Sequence, residues 1–183
     1  MTNADRTRAV LMGYQQVKNA SWPGLHPEMA ERSRRWPTAS EDALQSELLT
    51  YLRDASRPTC PVRVFWKFAP GFTFGGCNDH FAQDAGMPAA QLVGRDDFDP
   101  KLPWVLQAAK YRADDEAVFR SGMPKLDIIE RQRSSSGIIT WVRVGKAPIR
   151  LPSGAVIGIL GMYEVLDAET GHKLFAERGG KDR

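Results

Sequence analysis

The residue types best suited to nucleophilic or metal chemistry are few in this chain, and their spacing serves neither. The two cysteines, Cys60 and Cys77, lie far outside C-x-x-C spacing, and the three histidines, His26, His80 and His172, are scattered. A structural or catalytic metal site draws ligands from closely spaced pairs, so no metal site is expected. Cys77 reads as a plain buried cysteine. The carboxylates Glu41, Asp42, Asp96, Asp97, Asp99, Asp114 and Asp115 are expected in helix starts, turns or exposed faces. No serine stands in a nucleophile motif with a partner histidine. Gly71-Phe-Thr-Phe-Gly75-Gly76 does not end in the Gly-Lys-Ser/Thr of a phosphate loop. The expected protein is not an enzyme.

Bulk properties narrow the class further. A length of 183 residues with 42% hydrophobic content suits one domain with extensions. The net charge of +3 comes largely from the ends, where Arg32, Arg34 and Arg35 precede the domain and Arg178, Lys181 and Arg183 close the chain. No concentrated basic face lies between them, so no direct nucleic-acid partner is expected. The longest apolar run, Ala155 to Met162, is far shorter than the ~20 residues that span a bilayer. The first residues lack the apolar core of a signal peptide. With no disulfide framework either, the expectation is a cytoplasmic protein without a membrane partner.

The elements that must position any site follow from periodicity. Residues 1–39 read as an irregular arm. Thr7 to Val17 can form a short helix, and Trp22 and Trp36 can anchor the arm. Residues 40–60 hold a helix from Ser40 to Ala55 and a linker. Ser40 can cap that helix, Glu41 and Asp42 suit its first turn, and Leu44, Leu48 and Leu52 form an apolar stripe. From residue 61 to 167 the pattern is strand, strand, small helices, long helix and three strands. Val62, Val64, Trp66 and Phe68 alternate with Arg63, Phe65 and Lys67. The long helix spans about Pro103 to Arg120, and Ser134-Ser-Ser-Gly137 and Pro152-Ser-Gly154 turn the last hairpins. Residues 168–183 form a polar tail expected to fray. The predicted fold class is α+β: a five-stranded antiparallel sheet with short helices and one long helix on one face, plus an N-terminal helical extension.

In this order the landmarks resemble PAS domains, especially those of bacterial sensor kinases. Asn78-Asp-His-Phe81 resembles the family's N-x-x-F after the second strand. Gly86 with Gln91-Leu-Val-Gly94-Arg95 resembles its "G…elvGr" segment. Asp97-Phe-Asp99, Leu102-Pro-Trp104 and Tyr111-Arg-Ala-Asp-Asp115 resemble "D-y-D-l-P-W … yR-x-x-D". Ser121-Gly122 matches the end of the long helix, and Trp141 to Pro148 with Gly154 and Ile157-Gly158 resembles the last two strands. Asn78, Phe81 and the glycines have structural roles of their own: bonding backbone groups at a junction, plugging the core and adopting positive φ. Asp115 is expected to close a polar contact that fixes the long helix.

The resemblance implies a sensory or adaptor module in signal transduction. It would bind a small molecule between sheet and long helix and signal through a dimer or a separate kinase or regulator. The alternative is a ligand-free dimerisation scaffold, and a further one is a haem- or flavin-binding sensor. The cofactor is open. The flavin-binding light-oxygen-voltage relatives carry G-R-N-C-R-F-L-Q where this chain has Gly94-Arg-Asp-Asp-Phe-Asp-Pro100. Asp97 replaces the reactive cysteine, so no covalent flavin adduct is expected. Lys101 to Arg120 contains no histidine for haem, which leaves haem the lesser alternative. The expected ligand contacts are Trp66, Phe68, Trp104, Tyr111, Thr140, Val142 and Tyr163. Trp66 and Phe68 qualify if they face inward with Val62 and Val64. The resemblance puts Val142 inside and Trp141 outside. The expected homodimer interface is Leu44, Leu48, Leu52, Phe65 and Trp141.

Overall fold

A computed structural model describes residues 1–19 and 29–178 of the chain. Trp22, His26, Lys181 and Arg183 lie outside the described residues. The strands are β1 (Val62–Phe68), β2 (Thr73–Cys77), β3 (Lys125–Arg133), β4 (Ile139–Arg150) and β5 (Val156–Leu166). They form one antiparallel sheet in the order β2-β1-β5-β4-β3, so the first and last strands in sequence pair at its centre. The helices are α1 (Asn3–Asn19), α2 (Met29–Arg32), α3 (Glu41–Ala55), α4 (Asp79–Ala85), α5 (Ala89–Leu92), α6 (Ala108–Ser121) and α7 (Ala168–Glu177), with 3₁₀ turns at Ser33–Thr38 and Val105–Gln107.

The inner face of the sheet packs against α4, α5 and α6, around a core of Phe65, Phe74, Phe81, Leu92, Trp104, Val142, Val144 and Tyr163. The outer face is covered too. There α1 and α3 bury Val10, Tyr14, Leu44, Leu48 and Tyr51 against Val62, Val64, Trp66, Leu160 and Met162. With apolar groups removed from water on both faces, the sheet is the middle layer of three.

The arm is more regular than its composition suggests. Thr2 and Asp5 cap each other's backbone N–H, at 2.9 and 3.2 Å, which is the geometry of a capping box. From that start α1 runs to Asn19. A Cβ on Gly13 would lie 2.4 Å from a Leu160 methyl, so glycine there lets α1 settle onto the sheet. Tyr14 then donates its hydroxyl to the Phe65 carbonyl at 2.5 Å. Trp36, in the 3₁₀ turn, is fully buried and donates to Glu47 at 3.2 Å. Ser40 caps α3 by accepting from the Ala43 N–H.

Of the tail expected to fray, the described residues 168–178 are ordered differently. Asp167 caps α7 by accepting from the Thr170 N–H at 2.8 Å. The helix then lays His172 and Phe175 on Trp141, with ring centroids 5.0 and 5.1 Å away. A Cβ on Gly171 would collide with the Trp141 side chain, so the glycine makes that contact fit.

Candidate functional site

Asn78 fixes the junction beside the site. Its side-chain oxygen accepts from the N–H groups of Val64 and Phe81, both at 3.1 Å. Its amide donates to the carbonyls of Ala55 and Val62, both at 2.9 Å. One buried side chain thus ties the end of α3, strand β1 and the start of α4 together, with every hydrogen-bonding group of the amide used. Gly86 ends α4 in the left-handed region at φ 72°, where a Cβ is costly.

Between the inner face and α6 lies a cavity of about 30 Å³, room for about one water molecule. Its apolar wall is Phe65, Phe74, Phe81, Trp104, Tyr111, Val144 and Tyr163. Its polar wall is Lys67, Asp97, Glu130, Gln132 and Lys146. Lys67 and Lys146 rise from β1 and β4. Between them β5 places Gly161, over which the Phe65 ring lies. Both ammonium groups converge on Asp115 of α6: Lys67 lies 2.7 Å from Oδ2 and Lys146 2.6 Å from Oδ1. Lys67 also reaches Asp97 at 2.5 Å. Asp97 in turn accepts from the Trp104 indole at 3.3 Å. Lys146 donates as well to the Tyr111 carbonyl at 3.2 Å, and Glu130 pairs with Lys110 at 2.7 Å.

These charges hold one another ionised. Burial alone lowers the Lys67 pKa, but the Asp115 and Asp97 carboxylates outweigh it and leave Lys67 raised above its ordinary value. Burial raises Asp115, and Lys146 and Lys67 more than reverse that, leaving its carboxyl below the usual range. Burial first, then the Asp84 carboxylate, pushes the Tyr163 phenol well up, so it is a neutral hydrogen-bond donor. Burial pushes the Cys77 thiol up to about 12, which leaves it an unreactive thiol.

The expected ligand contacts divide. Trp104, Tyr111 and Tyr163 stand in the cavity wall. Val142 is fully buried in the inner core but does not reach the cavity, and Thr140 lies in a separate surface pocket. Trp66 and Phe68 face the other way. They sit with Val62 and Val64 under α1 and α3, and Arg6 stacks on the Phe68 ring at 5.3 Å. The parity of β1 is therefore opposite to the one that would make them ligand contacts, and Phe65 and Lys67 point inward instead.

The expected dimer contacts are taken up within the chain. Leu44 and Leu48 are buried in the outer core, with Leu52 packed against it. Trp141 lies beneath α7, and Phe65 is on the inner face. Asp97, Asp114 and Asp115, expected in helix starts, turns or exposed faces, are buried, and Asp115 makes a polar contact that fixes the long helix, as also expected. Lys67, Lys146, Glu130 and Gln132 were missed. The available signal was a lysine in the middle of each of two apolar strands.

Among the described residues no group of three or more His, Cys, Asp or Glu side chains is arranged to hold a metal. His80 and His172 bond backbone carbonyls of Arg57 and Ala168 at the surface, away from the cavity. No histidine lines the cavity, and Asp97 in its wall is ion-paired to Lys67.

The structure is similar to VqmA of Vibrio cholera in a ligand–DNA complex, with a TM-score of 0.56 and 20% identity over 76% of this chain and 60% of that one. It is similar to an RNA-binding light-oxygen-voltage receptor, with a TM-score of 0.54 and 21% identity over 75% of this chain and 37% of that one. It is similar to the PAS domain of a Colwellia psychrerythraea protein, with a TM-score of 0.51 and 14% identity over 65% and 97%. No family model matches the sequence, and no curated protein matches it. The chain has the PAS fold. It spans only about three-fifths of the VqmA chain.

These likenesses correct one expectation. The absence of a basic face led to the exclusion of nucleic acid as a partner, yet similar structures include a receptor solved with DNA and an RNA-binding receptor. Among the described residues no helix is long and apolar enough to cross a membrane.

Proposed function

We propose that this chain is a sensory module that binds a small hydrogen-bonding molecule in the cavity between sheet and α6 and passes its occupancy to a signalling partner. The observation that carries the reading is the charge around that cavity. Lys67, Asp97, Glu130 and Lys146 line it, and Asp115 ties the two lysines together behind it. Well-packed apolar side chains would hold this interior at least as well. Charges spent on a cavity wall therefore point to recognition. The fold adds support, since VqmA, with the same architecture, was solved with a ligand. Occupancy would be felt at once by α6, which Asp115 pins to β1 and β4, and a ligand that separates those pairs shifts the helix against the sheet.

A second reading is a ligand-free interaction scaffold. The volume of about 30 Å³ favours it, because small-molecule sites enclose roughly 300–1,000 Å³. The sensory reading requires the cavity to widen on binding. Mass spectrometry of denatured extracts from purified protein separates the two. The sensory reading expects a small molecule released in near one-to-one ratio from the wild type and lost from Lys146→Met. The scaffold reading expects none from either.

A further inference from the structure

We infer that the surface pocket bounded by Arg63, Asp84, Gln132, Ser134, Thr140 and Val165 is the entrance to the cavity, closed by a Gln132–Tyr163–Asp84 latch and admitting a neutral, single-ring molecule. The inference rests on the reading of the cavity as a ligand site. The pocket has a volume of about 190 Å³, and Gln132 lines both it and the interior cavity. The partition between them is polar. Gln132 donates to the Tyr163 hydroxyl at 3.0 Å, and that hydroxyl donates to Asp84 at 2.7 Å. Arg63 holds Asp84 from the outside at 3.0 Å.

This is the weakest wall of the cavity. On the α6 side Lys67, Asp97, Asp115 and Lys146 form an ion-paired cluster with side chains at most 3% exposed, and Glu130, 5% exposed, pairs with Lys110. On the α4 side Phe81 packs on Phe65 and Trp104 with ring centroids 4.7 and 5.4 Å apart. The Arg63–Asp84 pair, by contrast, is more than one-fifth exposed on both sides, so water competes for it and it opens at little cost. Its neighbour is the turn between β3 and β4, whose Ser135 bonds the backbone carbonyls of Asp84 and Gln83. A shift of that turn releases α4's end and the latch together. With the latch open, the pocket joins the cavity, and the ligand occupies both.

Charge balance sets the class of ligand. Lys67 and Lys146 are matched by Asp97 and Asp115, Lys110 by Glu130, and Arg63 by Asp84. A charged ligand would carry an uncompensated charge into this interior. A neutral ring with one donor and one acceptor would stack on Trp104 and Tyr111 and bond the polar wall.

The test reads access without needing the ligand. In the full chain carrying Val144→Cys, on the cavity wall, the labelling rate by methyl methanethiosulfonate is followed by peptide mass spectrometry. Adding Tyr163→Phe or Asp84→Ala is expected to raise the rate of the introduced thiol roughly tenfold or more, as the loss of a hydrogen bond to a carboxylate implies. Cys60, in the outer core, is the internal reference for global opening and keeps its rate. Arg120→Ala, which breaks an exposed ion pair to Glu116 near the end of α6, leaves the rate unchanged. Equal rates with and without the latch variants overturn the inference, as does an acceleration shared by Cys60 or produced equally by Arg120→Ala. Solvent exchange of the Trp104 indole N–H gives the same comparison without an added cysteine, against the Trp36 indole as reference. A chain that binds no small molecule but shows these rate changes would sink the ligand reading and keep the entrance. Binding with unchanged rates would do the reverse.

Discussion

Lys67 on β1 and Asp115 on α6 form an ion pair at 2.7 Å with neither side chain more than 2% exposed. Breaking a buried pair by removing one partner leaves the other charge uncompensated, which costs about 3–5 kcal/mol. Asp115→Ala strands Lys146 and leaves Lys67 only Asp97, so the unfolding free energy from denaturant melts should fall by an amount within that range. The combined variant Lys67→Met, Asp97→Leu, Asp115→Leu, Lys146→Met should be folded and within a few kcal/mol of wild type on either side. A large loss in the combined variant would mean that the cluster is required for the fold itself.

The same cluster sets a pH window. Asp115 has a lowered folded pKa, so its contribution is present above the unfolded value of about 3.9 and is lost as pH falls through the folded value. Lys67 has a raised folded pKa, so its contribution is complete below about 10.4 and is lost as pH rises through the folded value. Stability from this cluster should be flat between these limits and fall outside them. Urea midpoints across pH check this, and Asp115→Asn should flatten the acid limb.

The helix stripe tests how the outer face is closed. Leu48 is 7% exposed and packs in the outer core, so Leu48→Glu should destabilise the chain by on the order of 3 kcal/mol through an unpaired buried charge and lost packing. Because the contact lies within one chain, the loss should be the same at every protein concentration. A loss that shrinks or grows with concentration would show that Leu48 meets a second copy.

Trp66 is 5% exposed, and its indole lies across Gly75 and Gly76 of β2, where an added Cβ would overlap the ring. Trp66→Ala should cost about 3–5 kcal/mol, although the residue faces away from the cavity. A change below ~1 kcal/mol in denaturant melts would contradict its place in the core.

The order of elements was legible because turn chemistry and alternation mark each strand, and the motifs from Asn78 to Ser121 follow one another as in PAS domains. The face of β1 was not. Val62, Val64 and Trp66 alternate with Phe65 and Lys67, but the sheet is buried on both sides, so both sets hold apolar residues and alternation alone does not name the inner one. The site's charges were hidden for a different reason. Lys67 finds its partners 30 and 48 residues away, and no local spacing reports such a pair. The helix over Thr7 to Val17 was legible, but its start at Asn3 and its seat on Leu160 through Gly13 were not, because no local pattern reports a contact to a distant strand.

Blue light should leave the absorption spectrum of the purified protein unchanged, since Asp97 stands in place of the adduct-forming thiol and Cys77 keeps its proton up to about pH 12. A reversible light-driven change to a cysteinyl-flavin spectrum would contradict this.

The central claim, that the charged cavity is a ligand site, is tested most directly by the Trp104 indole N–H resonance. That group lines the cavity and donates to Asp97, whereas the Trp36 indole is buried on the opposite face of the sheet and bonds Glu47. Neutral single-ring heteroaromatic fragments are titrated into labelled protein and both resonances followed. The account predicts a fragment that shifts the Trp104 signal saturably, leaves Trp36 in place and loses its effect in the Lys67→Met, Lys146→Met variant. A Trp104 signal that no fragment moves at millimolar concentration, or that moves only together with Trp36, would contradict it.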